Sequence, residues 1–172
     1  NYMFSTLIGA GVVVLQIAIV VFVILWITKS PLLEKVYNHG GTILATIFIS
    51  SAIGSIIYEY ALGFEPCLLC WYQRIAIFGI AILSLTGKLK TNRTLQNQVI
   101  VFSVLGLIVA LLHNYIDIFP TGLDICGTGV SCLKRYVAVF GYITIPMMSF
   151  TVLLSGLLLS IFIKKHSPIV LE

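Results

Sequence analysis

The stretch Gly63–Arg74, GFEPCLLCWYQR, places two cysteines where a loop leads into a long apolar helix. Pro66 suits the first position of a helix, because its missing N–H and fixed φ cost nothing there. A helix that begins at Pro66 carries Cys67 and Cys70 in its opening turns, where free N–H groups and the helix macrodipole favour a thiolate. Arg74 follows Cys70 by four residues and so shares its helix face, at roughly 6 Å. The stretch therefore predicts an activated dithiol beside a fixed cation.

The composition around this stretch is that of a membrane protein. Of the 172 residues 59% are hydrophobic and 9% are charged, and the mean hydropathy is +1.10. About five stretches are long enough to cross a bilayer core of roughly 30 Å, and such spans must be helices. We therefore predict an all-α polytopic membrane protein, a four-helix transmembrane bundle with one additional N-terminal transmembrane helix. The predicted spans are Phe4–Thr28, Thr42–Leu62, Trp71–Gly87, Val99–Ile116 and Tyr142–Ile163.

The basic residues predict how these spans are oriented, because Lys and Arg favour cytoplasmic loops. Three segments, two between spans and one after the last span, hold most of them: Lys29, Lys35, Lys88, Lys90, Arg93, Lys164 and Lys165. These segments are expected in the cytoplasm, so the N-terminus and all four cysteines are expected outside, where disulfides persist. The net charge of +4 reflects this anchoring, and we infer no nucleic-acid site from it.

The second pair of cysteines, Cys126 and Cys132, lies in the longest outer loop, residues 117–141. Five residues separate them, two of which are glycines. A loop of this kind can bend to close a disulfide and can also open to present one sulfur. The segment 133–140 that follows mixes basic with aromatic and β-branched residues, a pattern typical of a segment on the membrane surface.

Two histidines lie at opposite ends of their spans. His113 is near the outer end of span four, and an ionisable residue at membrane depth is a candidate functional residue. It could hydrogen-bond a carbonyl of a bound acceptor, or it could be an interfacial histidine satisfied by water or a neighbouring helix. His39 lies in the predicted cytoplasmic linker 29–41 and is expected to be a solvated loop residue.

Three interpretations compete for the four cysteines. A zinc site is the first, since Cys-x₂-Cys is a common half of one. We predict no metal, because the other cysteine pair, Cys126-x₅-Cys132, is spaced more widely than in most zinc sites. A metal would also leave the pairing of the Cys70 thiolate with Arg74 without a function. Two structural disulfides are the second, although a two-residue gap is more often catalytic. Two redox-active pairs working in series are the third and favoured interpretation.

The motif Pro66–Arg74, PCLLCWYQR, resembles that of the DsbB family of bacterial disulfide-bond formation proteins. The loop from Cys126 to Cys132 is similar to the short-loop branch of that family, often called BdbC. The resemblance implies a four-helix redox domain over residues 42–165, and it leaves residues 1–30 as an additional transmembrane helix outside the familiar core.

The resemblance also implies a role for each site residue. Cys67 and Cys70 would be the pair reoxidised by quinone (ubiquinone or menaquinone), with Cys70 as the thiolate that contacts the ring. Arg74 and His113 would be the quinone-binding residues, Arg74 supporting a quinone oxygen and keeping the thiolate ionised. The loop pair would exchange with a thioredoxin-fold partner, DsbA-like or BdbD-like, and Cys126 would form the mixed disulfide.

These observations predict a quinone-dependent thiol oxidoreductase of the bacterial plasma (inner) membrane. It would reoxidise a secreted dithiol oxidase and so support disulfide formation in exported proteins. One alternative is an enzyme like vitamin K epoxide reductase, in which the loop pair precedes the Cys-x-x-Cys motif instead of following it. The non-enzymatic alternative is a membrane scaffold with two structural disulfides.

Overall fold

The computed structural model describes residues 2–119, 126, 131–132 and 134–167. Within these residues the chain forms five helices, with turns and one isolated β-bridge between Val139 and Ile143. Each helix is long and apolar enough to cross a membrane, which confirms the all-α prediction. The helices are α1 (Tyr2–Ile27), α2 (Leu32–Tyr60), α3 (Leu68–Leu85), α4 (Arg93–Ile118) and α5 (Ile145–His166).

The helix that carries the dithiol starts later than predicted. α3 begins at Leu68 instead of Pro66, and Cys67 is its N-cap, with φ −73° and ψ 172°. The carbonyl of Cys67 accepts a hydrogen bond from the N–H of Trp71 at 3.1 Å. Cys67 therefore precedes the first turn, and of the two cysteines Cys70 alone lies within it.

α2 begins ten residues before the predicted span, so the proposed linker 29–41 is mostly helical. His39 is exposed as expected, but it lies on this helix, with Nδ1 3.1 Å from the carbonyl oxygen of Lys35. The predicted linker contains the pair Gly40-Gly41, which is typical of a loop, but the packing gives Gly40 a role inside a helix. A Cβ added to Gly40 would lie 2.8 Å from Cδ1 of Ile163, so this glycine permits close contact between α2 and α5.

The main core lies between α2, α3, α4 and α5. Two small residues set the spacing of these helices, as is common in membrane bundles. A Cβ added to Gly156 on α5 would lie 2.5 Å from Cζ of Phe48, and Phe48 is fully buried. A Cβ added to Gly106 on α4 would lie 2.9 Å from both Ala76 and Leu153. The glycines thus let bulky neighbours fill the bundle centre.

α1 packs on the outside of this core, against α5 and α2. Its lone amide side chain, Gln16, donates to Oγ1 of Thr151 at 3.1 Å and accepts from the hydroxyl of Tyr142 at 2.9 Å. Closer to the start of α1, a Cβ added to Gly9 would lie 2.8 Å from Cγ1 of Val139. Polar bonds and close contact together hold α1 to α5 and to the segment before α5.

The two ends of the bundle differ in charge. At one end Lys90 donates to the carbonyl of Asn38, and Arg93 donates to the carbonyl of Lys164 at 2.6 Å. These residues belong to the segments predicted to be cytoplasmic. The cysteines and the start of α1 lie at the opposite end, beside the segment that follows Cys132. The basic end and the thiol end are therefore separated by the length of the helices.

The segment 134–144 at the thiol end has no helix. Tyr136 stacks on Phe64, with ring centroids 4.8 Å apart, and Val137 is buried among residues of α1, α2 and α5. Tyr136 and Val137 thus attach the segment to the thiol end of the bundle, while Lys134, Arg135, Ala138 and Phe140 stay exposed, so its predicted place on the membrane surface remains a prediction. The loop residues 127–130, which were predicted to let the loop bend and open, lie outside the described residues.

Candidate functional site

The dithiol at the start of α3 is reduced and its sulfurs are close together. The Sγ atoms of Cys67 and Cys70 are 3.1 Å apart, so one thiol can share its proton with the other. Cys67 is buried and Cys70 is half-buried. A disulfide needs an S–S distance of about 2.05 Å. The pair is therefore placed to close with a small movement.

The second pair, Cys126 and Cys132, forms a disulfide, and both residues are buried. It lies directly against the first pair. Sγ of Cys67, Sγ of Cys132 and a ring nitrogen of His113 all lie within 4.8 Å of one another. The fold thus brings together two cysteine motifs that are 56 residues apart at their nearest members (126 − 70).

His113 lies between the two pairs and is 3% exposed. Its Nε2 is 3.3 Å from the carbonyl oxygen of Cys132 and 3.9 Å from Sγ of Cys67. Its Nδ1 is 3.1 Å from Nε2 of Gln73. Because an amide nitrogen only donates, Nδ1 accepts this bond and the ring proton resides on Nε2. That proton points toward Cys132 and Cys67.

These contacts change the acidity of Cys67, which lies just outside the membrane-spanning part of α3. Hydrogen bonding from the thiol of Cys70, and then from His113, lowers the pKa of Cys67 from 9.0 to about 4, against the opposing effect of burial. A thiolate is the nucleophile in disulfide exchange. The reduced pair therefore favours an anion on Cys67, and the 3.1 Å contact lets the shared proton move so that Cys70 can carry the charge instead.

Arg74 is buried on the same helix, and its guanidinium is bound by α2. It donates to the carboxylate of Glu59 and, at 2.6 Å, to the carbonyl of Ser55. Its guanidinium carbon lies 5.4 Å from the ring centre of Trp71. The sequence predicted that Arg74 serves Cys70, and the structure adds a carboxylate partner that offsets part of its charge.

A cavity of about 510 Å³ adjoins these residues. Cys67, Cys70, Arg74 and His113 line one part of it, and most of the remaining lining is apolar. Cavities that bind small molecules are typically about 300–1,000 Å³, mostly apolar and with a few polar groups at fixed positions. This cavity therefore has the size and the lining expected for an apolar molecule with a polar head.

Cys67, His113 and Cys132 offer the kinds of ligand that zinc prefers, in a buried cluster. The sulfur of Cys132 is bonded to Cys126, however, and a metal ligand must be a free thiolate. The same three groups are equally well placed for exchange between the two pairs. The absence of a metal remains a prediction.

Two residues of the site were not identified from the sequence. Gln73 is part of the Pro66–Arg74 motif but has no role in the predicted site, yet it is 2% exposed and fixes the ring of His113. Glu59 has no place in the site predicted from the sequence, yet it binds Arg74. A buried amide one residue before Arg74, in an otherwise apolar helix, was the available signal for Gln73. Glu59 gave none, because its partner is 15 residues away.

The comparison with known proteins agrees with this geometry. A family model described as "Disulfide bond formation protein DsbB" matches residues 37–163. The chain belongs to the DsbB family. The matched region contains all four cysteines and leaves out α1. Membership implies a membrane thiol oxidoreductase that supports disulfide-bond formation.

Relatives in Bacillus species are similar over most of their own length. A "Probable disulfide formation protein C 2" of Bacillus anthracis is 35% identical over 115 residues, 66% of this chain and 82% of the relative. The "SPbeta prophage-derived disulfide bond formation protein B" of Bacillus subtilis is 36% identical over 127 residues, covering 71% and 86%. The "Disulfide bond formation protein C" of Bacillus subtilis is 28% identical over 116 residues. No solved structure matches the chain significantly.

Proposed function

We propose that the protein is a thiol:quinone oxidoreductase that reoxidises a secreted, thioredoxin-fold dithiol oxidase and passes the electrons to a membrane quinone. The observation that carries the proposal is the meeting of both cysteine pairs beside one largely apolar cavity. A scaffold with two structural disulfides would need no such contact between the pairs and no adjoining cavity. The free, closely spaced thiols of Cys67 and Cys70 also favour redox activity.

The first exchange takes place at the loop pair. A thiolate of the reduced partner attacks Cys126, forms a mixed disulfide with it and releases the thiolate of Cys132. The partner's second thiol then displaces Cys126 and leaves the partner oxidised. Two electrons and two protons have now moved to Cys126 and Cys132. The choice of Cys126 as the attacked sulfur rests on the family resemblance.

The second exchange passes these electrons to the pair on α3. The Cys132 thiolate attacks Cys67 of an oxidised Cys67–Cys70 disulfide and releases Cys70; Cys126 then displaces Cys67 and restores the loop disulfide. The sulfurs of Cys132 and Cys67 lie within 4.8 Å of each other, which supports this route. His113 lies beside both residues and can hold a proton near Cys67 when Cys126 displaces that sulfur.

A quinone is the acceptor that best fits the cavity and the energetics. When bound, it takes up two electrons and two protons and so allows Cys67 and Cys70 to re-form their disulfide. A DsbA-type partner has a potential of about −120 mV, whereas structural disulfides lie below about −300 mV, a gap of roughly 8 kcal/mol for two electrons. The α3 pair therefore needs an acceptor of high potential, and the apolar cavity favours one that is soluble in lipid.

The residues for this acceptor would be those on the polar side of the cavity. Arg74 and His113 would donate to a carbonyl oxygen, His113 through Nε2 in place of its bond to the Cys132 carbonyl, and Cys70 would supply the sulfur beside the ring. Glu59 would keep Arg74 in place through their ion pair. The partner would approach from the thiol end of the bundle, which we place outside the plasma membrane because the basic end lies opposite.

The test is to mix the purified protein with a quinone and a reduced thioredoxin-fold protein and to follow quinone absorbance. Turnover is expected for the wild type, with a thiolate–quinone charge-transfer band in the spectrum. Cys70→Ser should abolish both signals. Leu68→Ser is the matched control, because Leu68 is exposed in the same helical turn and does not line the cavity. Turnover by Cys70→Ser equal to that of the control would refute the proposal, and a scaffold predicts no turnover by any of them.

A further inference from the structure

α1 lies outside the region matched by the DsbB family, yet it forms one side of the cavity beside the thiols. Six of its residues line that cavity: Ile8, Gly11, Val12, Val14, Leu15 and Ala18. They occupy nearly three turns of one helix face, since residues three and four apart lie on the same side. The cavity is therefore incomplete without α1.

The side formed by α1 differs chemically from the side formed by α3 and α4. Each of its six lining residues is apolar or glycine, whereas the thiols, the guanidinium and the imidazole come from α3, α4 and the residues next to them. The cavity thus has a polar end, at Cys70 and His113, and an apolar wall along α1. This division matches a molecule with a polar ring and a hydrocarbon tail.

The apolar wall also opens toward lipid. Gly11, Val14 and Ala18 line the cavity and are exposed on the outer surface of the bundle. They follow one another at spacings of three and four residues, so the exposed strip runs along the helix. A Cβ added to Gly11 would have no atom within 4 Å. A tail can therefore reach the cavity from the bilayer past this strip.

α1 is fixed in this position by specific contacts. Gln16 is bonded to Thr151 on α5 and to Tyr142, and its helix meets Val139 at Gly9. In a bilayer, where apolar contact with lipid is as favourable as contact with protein, such hydrogen bonds and close contacts determine which helix faces pack. The lining face of α1 is consequently a defined surface.

We propose that α1 is the tail-binding wall of the acceptor site and that it binds the isoprenoid tail of the quinone whose ring lies at Cys70. This inference rests on the proposed function and extends it to a helix outside the family-matched region. It assigns the selection between long-tailed and tail-less quinones to α1. The polar residues of α3 and α4 would then contribute to ring binding alone.

The test compares the affinities of the purified full chain for a long-tailed quinone and for the same ring without a tail. Gly11→Phe should weaken binding of the long-tailed quinone roughly tenfold, the effect of losing about two CH₂ contacts. Binding of the tail-less ring should be unchanged. Gly41→Phe is the matched control, because a Cβ at Gly41 also meets no atom within 4 Å and Gly41 does not line the cavity.

A second pair of variants keeps the test independent of any folding defect in Gly11→Phe. Ala18 lines the cavity, so Ala18→Phe places a ring in it. Ile17 is exposed and does not line the cavity, so Ile17→Phe places the same ring outside it. Ala18→Phe should repeat the selective loss, and Ile17→Phe should not. Equal weakening of both quinones, or no effect in either lining variant, would overturn the role of α1 and leave the proposed function standing. Failure of the wild type to bind either quinone would instead overturn the proposed function.

Discussion

At the scale of single residues, His113 is the group that connects the two redox pairs. Its Nε2 faces the Cys132 carbonyl and the Cys67 sulfur, and its Nδ1 is held by Gln73. This hydrogen bond joins Gln73 to His113 and not to a sulfur, so the role of Gln73 is to position the imidazole. A buried imidazole that lost this bond could change its tautomer and turn its acceptor nitrogen toward the thiols.

The lowered pKa of Cys67 can be measured through the ultraviolet absorbance of its thiolate. In a Cys126→Ser, Cys132→Ser variant with the α3 pair reduced, the thiolate signal should be present at neutral pH. It should disappear as the pH falls through about 4, whereas a thiol with the unshifted pKa of 9.0 would lose it near that pH. The sign follows because hydrogen bonds to the anion favour the charged form. Cys67→Ser in the same background should remove this low-pH step.

Gln73→Met in that background tests whether the orientation of His113 contributes to this acidity. Methionine fills a similar volume but cannot donate to Nδ1, so the hydrogen bond from Nε2 to Cys67 should weaken. The midpoint of the thiolate signal should then move to higher pH. An unchanged midpoint would mean that Cys70 alone keeps Cys67 ionised and that Gln73 has a packing role.

At the scale of helices, close approach at glycine determines how α2, α4 and α5 pack. Gly156→Ala should lower the thermal stability of the purified protein in detergent. The added Cβ would lie 2.5 Å from Cζ and 2.7 Å from Cε2 of Phe48, so that this fully buried ring or the helix backbone would have to shift. Overpacking of this kind typically costs about 1–3 kcal/mol. Gly41→Ala is the control and should be neutral or slightly stabilising, since its Cβ meets nothing and alanine favours helix.

The helices also show what the sequence can and cannot predict. Uninterrupted apolar runs were enough to predict five helices and their order, because a bilayer leaves few alternatives. The predicted start of α2 was wrong because the Gly40-Gly41 pair is typical of a loop. The position of Ile163 on another helix explains why a glycine stands at position 40. The ion pair of Glu59 with Arg74 escaped prediction for the same reason. Contacts between helices depend on their rotation and tilt, which hydropathy does not encode.

At the scale of the whole molecule, charge and chemistry are divided between two ends. The thiols, the start of α1 and the polar end of the cavity lie at one end, and the clustered lysines lie at the other. The positive-inside rule relates this division to the membrane: the basic end should face the cytoplasm. The proposed exchange with a secreted partner depends on this orientation.

This orientation can be tested with single cysteines introduced at the two ends. Ala138 lies at the thiol end and Lys88 in the connection between α3 and α4, and both are exposed. In intact cells a membrane-impermeant maleimide should label Ala138→Cys, and it should label Lys88→Cys only after permeabilisation. The wild type serves as the blank, because Cys67 is buried, Cys70 is half-buried and the other two cysteines are bonded to each other. The reverse labelling pattern would place the thiols in the cytoplasm, where a secreted partner could not reach them.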